Sequence, residues 1–299
     1  MSANAPKWSI GTCATLACIF EATAPKPGNV YRGADFDDLR YPDLLASAAV
    51  IGPVMEKARM RSLGETVLDA ILATRQAVST NTNLGTVLLL APLAAVPRDV
   101  DLHFGVEAIL CAADSSDVEL VYEAIRVARP GGLGEVAQGD VSRPPELSLA
   151  EAMQLAAQRD AVARQYVSGF TDVLDRVVPW LDEASRVGCE LGEAIVHVQL
   201  RLMSEMPDSL IARKCGPEVA QESADRAATV LASGRPGDSK YLQALGDLDF
   251  WLRADGHRRN PGTTADFIAA GLFVALRRRM LQPPFRFELG SSPDRGAVQ

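Results

Sequence analysis

Apolar residues recur at three- and four-residue intervals along almost the whole 299-residue chain, and strand-like alternation is scarce. That spacing gathers the apolar side chains of each segment on one helix face, and such faces are covered by packing helix on helix. The pattern predicts an all-α protein, a single globular bundle of about 11–12 helices whose polar loops converge on a nucleotide pocket. Segments at Tyr41–Ala58, Leu84–Ala95, Leu149–Ser168, Phe170–Val187, Leu191–Met206 and Thr264–Met280 carry it most clearly. Pro42 and Pro217 suit first turns, while Ser115 and Ser148 suit N-caps. Residues 1–285 read as one helical domain and 286–299 as a disordered tail.

Composition narrows the function classes. Hydrophobic residues at 47% and charged residues at 23% support a large core and exclude a disordered chain. A net charge of -8 argues against general nucleic-acid binding, which needs a basic face to neutralise many phosphates. The five cysteines show neither zinc spacing nor a disulfide framework and read as buried reduced thiols. Of the three histidines none has metal-ligand spacing, and His197, on an apolar helix, reads as core. The run Trp8–Phe20 imitates a signal peptide, but a lone Lys7 before it and Glu21 after it favour a cytoplasmic protein. No other apolar run approaches the roughly 18 uncharged residues that would span a bilayer.

Four polar loops at helix boundaries can carry chemistry. In "PKPGNVYR" the prolines stop a helix, but Lys26, Asn29 and Arg32 around Gly28 also suit a phosphate. In "TNTNLG" Thr82 or Asn83 can cap the following helix. Asn81, Thr82 and Asn83 together exceed what one cap needs, and Gly85 leaves room for an anion or sugar there. "DSLIARKCG" places Asp208 one to two turns from Arg213 and Lys214, as an ion-paired surface or as a metal ligand beside a phosphate clamp. "NPGTTADF" offers Asn260 and Thr263, with Thr263 and Asp266 at capping-box spacing and Asp266 a metal ligand if a cation bridges it to phosphate. The glycine-rich stretch Arg129–Leu147 reads as a linker or lid, with Glu135 and Asp140 as solubilising charges or lid acids.

"PKPGNV", "NTNLG", "GLGEVAQG", "DSLIARKCG" and "NPGTTADF", in that order on a helical background, resemble the triphosphoribosyl-dephospho-CoA synthase family over about Glu21–Arg277. The resemblance implies an all-α fold and transfer of the triphosphoribosyl group of ATP to 3'-dephospho-CoA with release of adenine. It implies ATP as substrate and Mg²⁺ as cofactor, while the acidic charge and the lack of a spanning apolar run leave neither a nucleic-acid nor a membrane partner expected. By that resemblance Lys26, Arg32, Arg213 and Lys214 meet phosphates, and Asn29, Asn81, Thr82 and Asn83 orient riboses. Asn260 and Thr263 join the substrate site, and Glu135, Asp208 and Asp266 are general-base or metal candidates, with the metal on Asp208 and Asp266. The chain departs from the family at Asn83-Leu84, where lyase-associated members usually read His-Lys. "NTNLG", "LIARK" and "NPGTTAD" are more similar to a branch associated with methanopterin and methanofuran one-carbon metabolism. A related phosphoribosyl-handling enzyme and a non-catalytic nucleotide-binding protein are the alternative expectations.

Overall fold

A computed structural model describes residues 7–131, 141–142 and 147–287. Among them no strand forms, and the chain builds fourteen α-helices. The first half holds α1 (Ile10–Thr23), α2 (Tyr41–Met55), α3 (Leu63–Ala77), α4 (Leu84–Ala95), α5 (Leu102–Cys111), α6 (Ser115–Ala128) and α7 (Leu149–Ala156). The second half holds α8 (Ala161–Ser168), α9 (Val178–Arg186), α10 (Leu191–Glu205), α11 (Ser209–Cys215), α12 (Pro217–Ala232), α13 (Ser239–Arg253) and α14 (Gly262–Arg277). None is long and apolar enough to cross a membrane.

Two helices form the axis of the molecule. Almost every residue of α4 and α14 is buried, as expected of helices that are apolar all round and packed on every side. They run parallel, joined at both ends. Near their N-termini the Thr86 hydroxyl donates to Asp266 Oδ1 at 2.6 Å. At the C-terminal ends Arg277, only 6% exposed, donates to the carbonyls of Leu93, Val96 and Pro97. The Leu93 and Val96 carbonyls stand at the end of α4, where no intrahelical donor remains, so the buried guanidinium meets acceptors that would otherwise be unsatisfied, while the Pro97 carbonyl also accepts from Val100 N.

Helix α10 joins two cores. Ile195, Val198 and Leu202 lie in the main core around α4 and α14, whereas Val196, Leu200 and Met203 lie in a smaller core with α11, α12 and α13. Helical spacing separates the two triplets onto different faces of one rod.

The structure corrects several local expectations. Helix breaks divide Leu149–Ser168 into α7 and α8, and a π-helical stretch Val173–Val177 precedes α9. Asp114, not Ser115, caps α6, accepting from Asp117 N. Ser148 caps α7 as expected. Pro261 precedes α14, so Thr263 and Asp266 lie inside the helix and make no capping box. Only Cys13 among the cysteines is buried and Cys111 is exposed, although all five are free thiols. Arg286 and Phe287, assigned to the tail, pack: Gly192 N donates to Arg286 O and Phe287 lies 5.5 Å from the Phe20 ring.

Candidate active site

Several helices begin at one cavity of about 390 Å³. Its lining includes Asn83, Leu84 and Gly85 at the start of α4, Leu149 of α7, Asp160 and Val162 of α8, and Gly262 and Thr263 of α14. Caps such as Asn81, Ser148, Asp160 and Asp208 take N–H groups of these helix starts. The aligned peptide dipoles still leave each start with roughly half a positive charge, so four of them facing one space favour an anion. Arg129, Arg159, Arg213 and Lys214 add four cations to the same lining, against the acids Asp38, Asp160 and Asp266. Arg213 holds Asp160 at 2.5 Å. Burial pushes the Lys214 ammonium below its ordinary value, with Asp38 opposing that shift. The lining also carries the apolar side chains of Leu88, Val121, Ile125, Met153 and Val162.

Asn83 ends the loop before α4, but its side chain does not cap the helix; Asn81 Oδ1 accepts from Leu84 N instead, at 3.2 Å. Asn83 Nδ2 donates to Thr74 Oγ1, and its buried Oδ1 has no partner among the described residues. Thr82 shares a 2.6 Å hydrogen bond with Ser47. Gly85 makes room for an anion that the protein supplies itself: a Cβ there would stand 2.0 Å from Asp266 Oδ2. Burial raises the Asp266 pKa to about 8, the Thr86 hydrogen bond opposes it, and the charges of Glu21, Asp208 and Asp160 raise it further. A carboxyl group held near neutrality at a cavity wall is matched to taking or giving a proton there.

The profile of the family described as ATP:dephospho-CoA triphosphoribosyl transferase matches residues 7–284. The chain belongs to this family. A protein of Azotobacter vinelandii named as a probable 2-(5''-triphosphoribosyl)-3'-dephosphocoenzyme-A synthase is 28% identical over 116 residues, 39% of each chain. The match thus spans well under half the length of that curated relative. A crystal structure from Archaeoglobus fulgidus, named as a candidate triphosphoribosyl-dephospho-CoA synthase, superposes with a TM-score of 0.59 at 28% identity. It covers 78% of this chain and 97% of its own.

In this member of the transferase family the expected site residues separate into two groups. Asn81, Thr82, Asn83, Arg213, Lys214, Asn260, Thr263 and Asp266 all line the cavity. Lys26, Asn29, Arg32 and Asp208 do not. Lys26 is wholly buried and paired with Glu21 Oε1 at 2.8 Å, so its charge is already matched inside the protein. Asn29 is buried and bonded to Asn260 and Gln199, and Arg32 is exposed. Gly28, at φ 75°, packs against Leu252 and Pro261 rather than leaving space for a ligand.

Asp208 is a clasp. Its Oδ1 accepts from Leu210 N and Ile211 N, and its Oδ2 from the Thr264 N–H and hydroxyl. Four hydrogen bonds fill the acceptor sites of a carboxylate, which leaves no free lone pair for a metal. Burial raises its pKa, opposed by those same bonds. Glu135 and Asp140 lie outside the described residues. Arg129, Arg159, Asp160, Asp38 and His257 reach the cavity without having been singled out. The one legible signal was an Asp before an apolar run at Asp160, hidden because Leu149–Ser168 reads as continuous.

Proposed function

We propose that the chain transfers the triphosphoribosyl group of ATP to the 2'-hydroxyl of 3'-dephospho-CoA, giving 2'-(5''-triphosphoribosyl)-3'-dephospho-CoA and adenine. One observation carries this reading: helix N-termini and four cations meet at a cavity wall that also presents Asp266, a carboxyl group with a pKa of about 8. Arg129, Arg159, Arg213 and Lys214 hold the triphosphate, and Asn81 and Asn83 orient the ribose. Asp266, in its ionised form, takes the proton as the acceptor oxygen bonds to C1' of the ATP ribose. The C1'–N9 bond breaks and adenine leaves with its electron pair, to be protonated by solvent. The carboxylate also faces the positive charge that develops on the ribose as adenine departs. Leu88, Val121, Ile125 and Met153 offer the apolar wall that the pantetheine arm of dephospho-CoA would cover.

The donors do not fit a magnesium ion of their own. Asp208 is saturated, Asp160 is paired with Arg213, and the described residues contain no cluster of three or more His, Cys, Asp or Glu that could hold a metal. A magnesium ion would come to the cavity on the triphosphate itself, and the four cations and the helix starts would add to the neutralisation of phosphate charge. Asn83 and Leu84 both line the cavity, so their departure from His-Lys alters the pocket itself and favours a second acceptor, a one-carbon cofactor precursor, as the competing reading.

The test is incubation with ATP and dephospho-CoA, following adenine and the transferred product by mass spectrometry. Adenine release that depends on dephospho-CoA and falls about 100-fold or more in Asp266→Asn is the expected result. ATP binding without adenine release would move the acceptor to another hydroxyl-bearing cofactor precursor.

A further inference from the structure

A chain of five side chains runs from the interior to the cavity rim. Gln199 Nε2 donates to Asn29 Oδ1 at 2.9 Å, and Asn29 Nδ2 donates to Asn260 Oδ1 at 2.6 Å. Asn260 Nδ2 meets His257 Nε2 at 2.6 Å, and His257 Nδ1 meets Asp38 Oδ2 at 3.1 Å. Its direction is set at the buried end. Gln199 Nε2 also donates to the Pro27 carbonyl at 3.0 Å, and Asn29 Nδ2 lies 3.4 Å from the Pro261 carbonyl. Carbonyl oxygens only accept, so neither amide can turn over. Gln199 keeps this orientation although its buried Oε1 has no partner among the described residues.

The consequence reaches the histidine. Asn260 must present N–H to Nε2, so Nε2 must accept, and the ring proton must sit on Nδ1, aimed at Asp38. A second proton on Nε2 would set N–H against N–H and break the chain. The charged groups facing the ring are Asp38, which favours protonation, and Lys214, which opposes it; burial acts first and lowers the His257 pKa. Phe36 stacks on the imidazole with centroids 4.8 Å apart, and the Arg253 guanidinium lies 4.9 Å from the Phe36 ring. The ring is thereby fixed in plane as well as in proton.

Asp38 itself is 66% exposed and lines the cavity. Burial opposes its ionisation, but the contact with His257, a backbone hydrogen bond and the Lys214 charge together hold its carboxyl below the usual value. A carboxylate at this rim repels phosphate oxygens and accepts hydrogen bonds. We propose that Asp38 receives a neutral O–H or N–H donor of the bound nucleotide, from a ribose hydroxyl or the adenine amino group, and that His257, locked as its Nδ1–H tautomer by the amide chain, is the positioning residue for Asp38. The proposal rests on the nucleotide reading of the cavity given above.

Two measurements test it. In protein labelled with ¹⁵N-histidine, His257→Gln assigns the signal among the three histidines. The His257 resonances are expected to show a proton on Nδ1 and none on Nε2 at neutral pH, with the second proton arriving only below the ordinary histidine pKa of about 6.5. In Asn260→Asp, which keeps an acceptor toward Asn29 and replaces the donor toward Nε2, His257 becomes doubly protonated at neutral pH. A wild-type His257 that carries its proton on Nε2, or titrates as an ordinary histidine, overturns the positioning role. The second measurement compares binding of ATP with that of 2'-deoxy-ATP, 3'-deoxy-ATP and the triphosphate of purine riboside, which lacks the amino group. Wild type is expected to bind one of these analogues about 10-fold more weakly than ATP, and Asp38→Asn to lose that discrimination. The disfavoured analogue identifies the donor. Discrimination unchanged in Asp38→Asn overturns the contact. Failure of the wild type to bind ATP at all overturns the nucleotide reading and the Asp38 contact with it, while the proton on His257 is still decided by the first measurement.

Discussion

Asp266 ties stability and activity to the same proton. Its carboxyl is raised from 3.8 to about 8 in the folded chain, so the native state holds a proton that the unfolded state has lost between those values. This group's contribution to stability is fully present below about pH 4 and is lost as pH rises through about 8. Asp266→Asn removes that dependence: the difference in melting temperature between variant and wild type should widen in the variant's favour from pH 5 to pH 8, while turnover collapses. Thr86→Val deletes the hydroxyl that favours the ionised form, so the acid limb of the rate–pH profile should move to higher pH, with folding largely intact. Gly85→Ala places a methyl group where the carboxylate stands. A loss of about 1–3 kcal/mol in urea unfolding, together with lower activity, is the expected outcome.

At the level of elements, the parallel pair α4 and α14 is locked at the end far from the cavity by Arg277. Arg277→Met keeps much of the apolar stem but strips the Leu93 and Val96 carbonyls of the guanidinium donor, while Pro97 O keeps Val100 N. With roughly 1–3 kcal/mol lost for each of these two buried carbonyls left unpaired, equilibrium unfolding should show a loss of about 2 kcal/mol or more. Because the lock is remote from the cavity, nucleotide affinity in the folded fraction should be retained. Asp208 plays the corresponding part at the near end, joining the start of α11 to the start of α14. Asp208→Asn turns an acceptor into a donor facing Thr264 N–H, so stability and activity should fall together, and raising magnesium should restore neither.

Across the molecule, α10 makes one cooperative unit of two cores. Leu200→Ala in the smaller core and Leu202→Ala in the larger should each lower a single unfolding transition, by about 2–5 kcal/mol, rather than splitting it in two. The all-α class and the extent of α4 were legible in the sequence, because one helix's apolar spacing reports its own burial whatever its partner. Leu84–Ala95 appears in the structure with those ends. The breaks at Ala157–Asp160 and at the π-helical stretch were not legible, since apolar periodicity continues across them. Which polar residues face the cavity was only half legible. Asn81, Arg213 and Lys214 reach it, whereas Lys26, Asn29 and Asp208, equally polar and equally placed at helix boundaries, turn inward to partners of their own. The sequence alone determined the helices, their apolar faces and the family, which are written in local spacing and in short motifs. Only the tertiary structure decided the roles within the site, because Asp266 meets Thr86 across 180 positions and Asn29 meets Asn260 across 231, and pairings at such distances leave no trace in the periodicity of either segment.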